Sequence, residues 1–144
     1  MSGLTAPLQS WLAQGRTAHV DDTEIFYRVS ESSDVSLPWL VCFHGFPTSS
    51  WDWHLLLPWL EQTHRVLVFD FPGYGLSAKP PGRDYSLLRQ LDAAEALLQH
   101  LAIDSFHLLA HDMGNSVACE LLHRREASGY SLELKSLTLL NGGI

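Results

Sequence analysis

The chain has 144 residues, with 9 Lys+Arg against 16 Asp+Glu and a formal net charge of −7 when its 8 His are neutral. One domain's length, with 46% hydrophobic and 17% charged residues, gives enough apolar surface for a core and excludes disorder as the main state. An acidic pI near 5.5 without a Lys/Arg cluster argues against nucleic acid or an anionic membrane as partner, and apolar runs such as Leu55–Leu60 fall far short of the ~18 residues of a membrane span.

Residues 1–16 read as an N-terminal extension. They lack the basic start and long apolar stretch of a secretory signal, so a cytoplasmic location is favoured. Ala18–Val20 and Ile25–Val29 read as a hairpin around Asp21-Asp22-Thr23. Trp39–Phe43, Val66–Phe69, Phe106–Ala110 and Leu137–Leu140 are short continuous apolar runs, the pattern of strands buried on both faces of a parallel sheet. Helical patterns lie between them. Trp51–Leu60 is one, which Pro58 must shorten or kink. Leu87, Leu91, Ala94, Leu98 and Leu101 form a stripe behind Ser86 as N-cap, and Val117, Ala118, Leu121 and Leu122 mark a helix running to about Glu126. Cys42 and Cys119 have no CxxC or metal-ligand spacing around them and read as two buried thiols in a reducing compartment.

Alternating strands and helices imply an α/β sheet with helices on both faces and right-handed crossovers. Chemistry on such sheets collects at the carboxyl ends of the strands, which here means the exits after Phe43, Phe69 and Ala110. At the third exit, Ala110-His111-Asp112-Met113-Gly114 runs from strand to helix in the pattern of a nucleophile elbow, with Asp112 at the centre. A carboxylate there attacks a saturated carbon that bears a leaving group or a strained ring, giving an ester that water then hydrolyses. The helix N-terminus favours the anion, and the hydrolytic step needs oxyanion donors. The Met113 N–H is one candidate donor. The Phe46 N–H, in His44-Gly45-Phe46-Pro47 at the first exit, is the other. Asp112 also fits a plain helix N-cap, and Ser116 in Gly114-Asn115-Ser116-Val117-Ala118 superficially matches a serine elbow, although about one turn inside the helix. Asp70 reads as the brace of its own Gly-rich turn, and Trp51 as packing that also lines the substrate pocket.

These segments resemble the N-terminal half of an α/β-hydrolase, in the Asp-nucleophile branch of epoxide hydrolases and haloalkane dehalogenases. His-Gly-Phe-Pro-Thr-Ser-Ser at 44–50, His111-Asp112 and Asn-Gly-Gly-Ile at 141–144 most resemble the mesoderm-specific transcript protein group. The resemblance implies an α/β-hydrolase core over residues 17–144, ending after about the sixth strand without a cap domain. It implies Asp112 as nucleophile, Phe46 and Met113 as oxyanion donors, His44 and His111 as scaffold bordering the pocket, no metal or organic cofactor, and small apolar electrophiles such as epoxides as substrates.

In this family the acid and histidine of the triad follow the nucleophile in the chain. Asn141 stands where some relatives carry the acid and supplies no negative charge. An alternative expectation is therefore a catalytically silent half-domain that self-associates through an open sheet edge. Haloalkane dehalogenase and serine-esterase chemistry are further alternatives. Neither Met113 nor Phe46 offers a side-chain N–H to a departing halide.

Overall fold

A computed structural model describes residues 3–32 and 34–142. In chain order it contains α1 (Ala6–Ala13), β1 (Arg16–Val20), β2 (Thr23–Val29), β3 (Trp39–Phe43), a 3-10 turn (Ser50–Trp53), α2 (Leu57–Leu60), β4 (Arg65–Phe69), α3 (Leu87–His100), β5 (Ser105–His111), α4 (Met113–Arg125) and β6 (Glu133–Leu140). The strands form one sheet in the order β1-β2-β4-β3-β5-β6. β1, β2 and β4 pair antiparallel, while β4, β3, β5 and β6 run parallel. The β1–β2 hairpin turns on Asp21 and Asp22, both at positive φ, a geometry whose twist matches that of the flanking strands.

The sheet separates two apolar cores. Ile25, Val41, Phe43, Leu67 and Phe69 face Leu91, Ala94, Leu97 and Leu98 of α3 and Val117, Ala118 and Leu121 of α4. Phe43, Phe69 and Phe71 meet edge to face there, with ring centroids 5.0 to 5.7 Å apart. On the opposite face Phe26, Leu40, Cys42, Val66 and Val68 pack under Trp11, Trp53 and Leu57. Ser86 caps α3 as expected, its Oγ accepting from Arg89 N at 3.5 Å. Arg124 staples α3 to α4, donating to Asp92, Glu95 and Glu120 at 2.6 to 2.9 Å.

Several elements differ from the sequence expectation. Within the N-terminal extension, α1 buries Trp11 against Trp51 at 5.1 Å, and a Pro at its start fits a short helix. The Trp51–Leu60 helix breaks in two, because Pro58 has no N–H for an interior helical bond and sits instead in the first turn of α2. Cys119 is exposed, not buried: on α4 it faces away from Val117, Ala118 and Leu121, and only Cys42 is enclosed. Burial pushes the Cys42 thiol well above its ordinary range, leaving it inert.

β5 and β6 are also not buried on both faces. Phe106, Leu108 and Ala110 are enclosed, while His107, Leu109 and His111 lie half-buried on the face where the 3-10 turn and α2 give thin cover. In β6 only Leu134 is buried, since that strand forms the sheet edge. No helix among the described residues is long and apolar enough to cross a membrane.

Candidate active site

Because β4, β3 and β5 are parallel neighbours, their carboxyl ends deliver three loops to one end of the sheet. The β5 exit is the sharpest. Asp112 takes φ 52° and ψ −118°, a region that non-glycine residues occupy only when their surroundings impose it. Three bonds impose it here. Its N–H donates to Leu140 O at 3.2 Å, its carbonyl accepts from Asn115 N at 3.0 Å, and Asn115 Nδ2 donates to the same Leu140 O at 3.1 Å.

The Asp112 carboxylate is held from two sides through one oxygen. Phe46 N donates to Oδ1 at 2.8 Å and Met113 N donates to it at 2.6 Å. Oδ2 has no hydrogen-bond partner among the described residues. An ordinary N-cap accepts from the second or third helical N–H; this side chain accepts from the first and from a loop 66 residues away in sequence. The Phe46 and Met113 N–H groups hold the carboxyl below the usual carboxylate range, against the opposing effect of desolvation and with a lesser contribution from His111.

Two glycines make this approach possible. A Cβ on Gly45 would lie 2.7 Å from Asp112 Cβ and 3.1 Å from both Asp112 Oδ1 and His111 Nδ1. A Cβ on Gly114 would lie 2.7 Å from Phe43 O and 2.9 Å from His44 O, so α4 crosses the β3 exit with no room for a side chain. Ser116 sits inside α4, away from the strand exit.

The two histidines beside Asp112 differ. His44 is fully buried, with Phe71 N donating to Nε2 at 3.0 Å and Nδ1 lying 2.8 Å from Gly45 O. A backbone N–H can only donate, so Nε2 accepts, Nδ1 carries the proton, and neither nitrogen remains for a substrate. Burial pushes the His44 pKa down from 6.5, opposed by Gly45 O and Asp70. Protonation in the unfolded chain is thus favoured over the folded one, so this group's contribution to stability is full above pH 6.5 and falls as the solution is acidified below it. Urea titrations of the wild type and His44→Gln should show the difference between them shrinking below that pH, at up to about 1.4 kcal/mol per pH unit. His111 is half-buried, its Nδ1 3.9 Å from Asp52 Oδ2 and its ring edge-on to Trp53.

Asp70 braces loops through both oxygens, Oδ1 accepting from Ser50 N at 2.7 Å and Oδ2 from Leu76 N at 2.6 Å. Trp51 is not brought to Asp112. Its ring partners are Trp11 and His54, and the hollows it lines are bounded by α1. Sequence reasoning missed Tyr74 and Asn115. Tyr74 O–H donates to Met113 Sδ at 3.4 Å, and its ring meets that of Phe46 edge-on at 6.2 Å. An aromatic residue between Gly73 and Gly75 at a strand exit was the available signal.

Residues 38–143 match the family model described as the alpha/beta hydrolase fold. The chain belongs to the α/β-hydrolase fold family. It is 42% identical over 145 aligned residues to the mesoderm-specific transcript homolog protein of Bos taurus, covering 98% of this chain and 43% of that protein. Among solved α/β-hydrolase structures it superposes on haloalkane dehalogenase DbeA from Bradyrhizobium elkani with a TM-score of 0.78 and 30% identity, covering 89% of this chain and 41% of that one. Epoxide hydrolase CorEH gives a TM-score of 0.77 and 25% identity, covering 89% of this chain and 42% of that one. The chain thus spans less than half the length of the α/β-hydrolases it resembles.

Proposed function

We propose that this chain carries the nucleophile and oxyanion hole of an epoxide-hydrolase-like α/β-hydrolase that acts through an Asp112 ester. The observation that carries the reading is the pair of N–H donors from Phe46 and Met113 on Oδ1, which leaves Oδ2 free. Oδ2 attacks a ring carbon of the epoxide and the C–O bond breaks. The ring oxygen leaves as an alkoxide that takes a proton from solvent. In the resulting ester, Oδ1 is the carbonyl oxygen and already sits between the donors that water attack on Cγ requires. Water adds to Cγ and gives up a proton to a base, and the tetrahedral intermediate collapses with cleavage of the Cγ–Oδ2 bond, so that the departing alkoxide takes up a proton, the diol leaves and the carboxylate is regenerated.

The electrophile is small and apolar, as the likeness to a haloalkane dehalogenase and an epoxide hydrolase suggests. A strained ring is favoured over a haloalkane because the side chains of Phe46 and Met113 carry no N–H to bind halide. Ester hydrolysis needs a base within reach of the attacking water; both His44 nitrogens are committed to backbone groups, and His111 Nδ1 faces Asp52 Oδ2. We expect the 144-residue chain alone to stop at the ester.

Incubation with phenyl glycidyl ether followed by peptide mapping tests this in a Cys119→Ser background, because the exposed Cys119 thiol is a competing nucleophile. The expected product is one persistent adduct per chain, on Asp112. Adducts confined to other residues would refute the nucleophile, and repeated turnover to diol would refute the arrest. The β6 edge, where Leu139 is 47% exposed, supports pairing between copies. Sedimentation should show concentration-dependent dimers, and a monomer at every concentration would refute that part.

A further inference from the structure

A hollow of ≈ 410 Å³ opens beside the Phe46 ring, lined by Phe46, Tyr74, Lys79, Pro80, Pro81 and Tyr85. That volume suits a small-molecule site. We propose that this aromatic and proline-walled groove is the subsite for a flat apolar substituent, such as an aryl ring, on the electrophile that Asp112 attacks. This rests on the proposed role of Asp112.

The groove borders the Asp112 site through two residues, Phe46 and Tyr74. The Phe46 backbone N–H holds Asp112 Oδ1 while its ring, 65% exposed, faces the groove. Tyr74 reaches Met113 with its hydroxyl and lines the groove with its ring. A ligand whose reactive carbon meets Asp112 Oδ2 would extend its apolar substituent past Phe46 into this groove.

The polar groups of the walls are already committed. Lys79 Nζ lies 2.7 Å from Gly75 O, 3.0 Å from Ser77 O and 3.4 Å from Tyr74 O, so its ammonium points at three carbonyls and not at a ligand anion. Tyr85 O–H donates to Pro80 O at 2.8 Å, which fixes its ring as a wall. Pro80 and Pro81 hold the opposite side with φ locked by their rings, so little conformational freedom is lost when a ligand binds. What remains on offer is aromatic and aliphatic surface. The hollow of ≈ 420 Å³ along α3 is no rival, since its Asp92 and Glu95 are paired with Arg124 and it lies on the helical face.

The test compares phenyl and methyl glycidyl ethers, which share one reactive terminus, by the rate of Asp112 alkylation in the Cys119→Ser chain. The phenyl compound should react about tenfold faster. Tyr85→Ala should bring the two rates to near parity by slowing the phenyl compound more than the methyl one, and Tyr85→Phe should keep the preference. A preference that survives Tyr85→Ala overturns the subsite, as does its loss in Tyr85→Phe, which would assign the effect to the Pro80 bond instead of the ring.

Saturation-transfer NMR with 3-phenoxy-1,2-propanediol, which is unreactive, reads the groove independently of Asp112. Signal lost in Tyr85→Ala and retained in Asp112→Ala supports the groove even if no Asp112 adduct forms. Equal signal in wild type and Tyr85→Ala, or none in wild type, overturns it.

Discussion

Asp112→Ala is expected to abolish the glycidyl ether adduct, by at least about a thousandfold, while Ser116→Ala leaves its rate within about twofold. In the proposed reaction Asp112 supplies the attacking oxygen, and among the described residues no other carboxylate accepts from the Phe46 and Met113 N–H groups. Asp112→Asn should be nearly as inert, because an amide of the same shape is a poor nucleophile. Those N–H donors favour the ionised carboxyl. The wild-type alkylation rate should therefore stay level on acidification through the usual carboxylate range and fall only below it, as the carboxylate takes up a proton. A rate that halves near neutral pH would contradict that environment. So would an adduct that survives in Asp112→Ala and disappears in Ser116→Ala.

The second large effect separates the two glycines. In Gly114→Val the new side chain meets Phe43 O and His44 O, which belong to the backbone of the β3 exit and cannot rotate away. Overpacking against rigid backbone should cost on the order of 3 kcal/mol or more, lowering Tm by roughly 10 °C in a chain of this size. In Gly45→Ala the added carbon meets side chains, chiefly Asp112 Cβ and Oδ1 and His111 Nδ1. The nearest of them, Asp112 Cβ, is fixed to a backbone held by three hydrogen bonds, so the loop at Gly45 has to shift, which draws the Phe46 N–H off Oδ1. That variant should lose up to about a hundredfold in alkylation, because Oδ2 is displaced from its line of attack, with a smaller loss of Tm than Gly114→Val. Thermal melts and adduct rates on the same two proteins check both. Equal Tm losses would mean that the two glycines do not divide fold from site.

Much of this was legible in the sequence because it rests on local rules. Continuous apolar runs located β3, β4 and β5 to within a residue or so at each end, and Ser86 ahead of a helical stripe located the start of α3. The order of small residue, acid and glycine at 110–114 marked the turn, whose demand for close packing is a property of residue size. What escaped depends on neighbours distant in sequence. α1 is stabilised by Trp11 meeting Trp51 and Arg28, contacts that no local pattern announces. The uneven burial of β5 and β6 follows from which strand ends the sheet. That Asn115 and Asp112 share one carbonyl of β6 follows from the register between β5 and β6, which a single sequence does not print.

Asp112 Oδ1 occupies the space between the Phe46 and Met113 donors before any substrate arrives. In a serine hydrolase that space is vacant at rest, and phosphonates, boronates and trifluoromethyl ketones act by inserting an oxygen into it. Here the seat is taken by the protein's own atom, so those reagents have nowhere to lodge. On the proposed role of Asp112, a screen built on serine-hydrolase warheads would pass this chain over in silence, and a strained-ring electrophile is the label expected to find it.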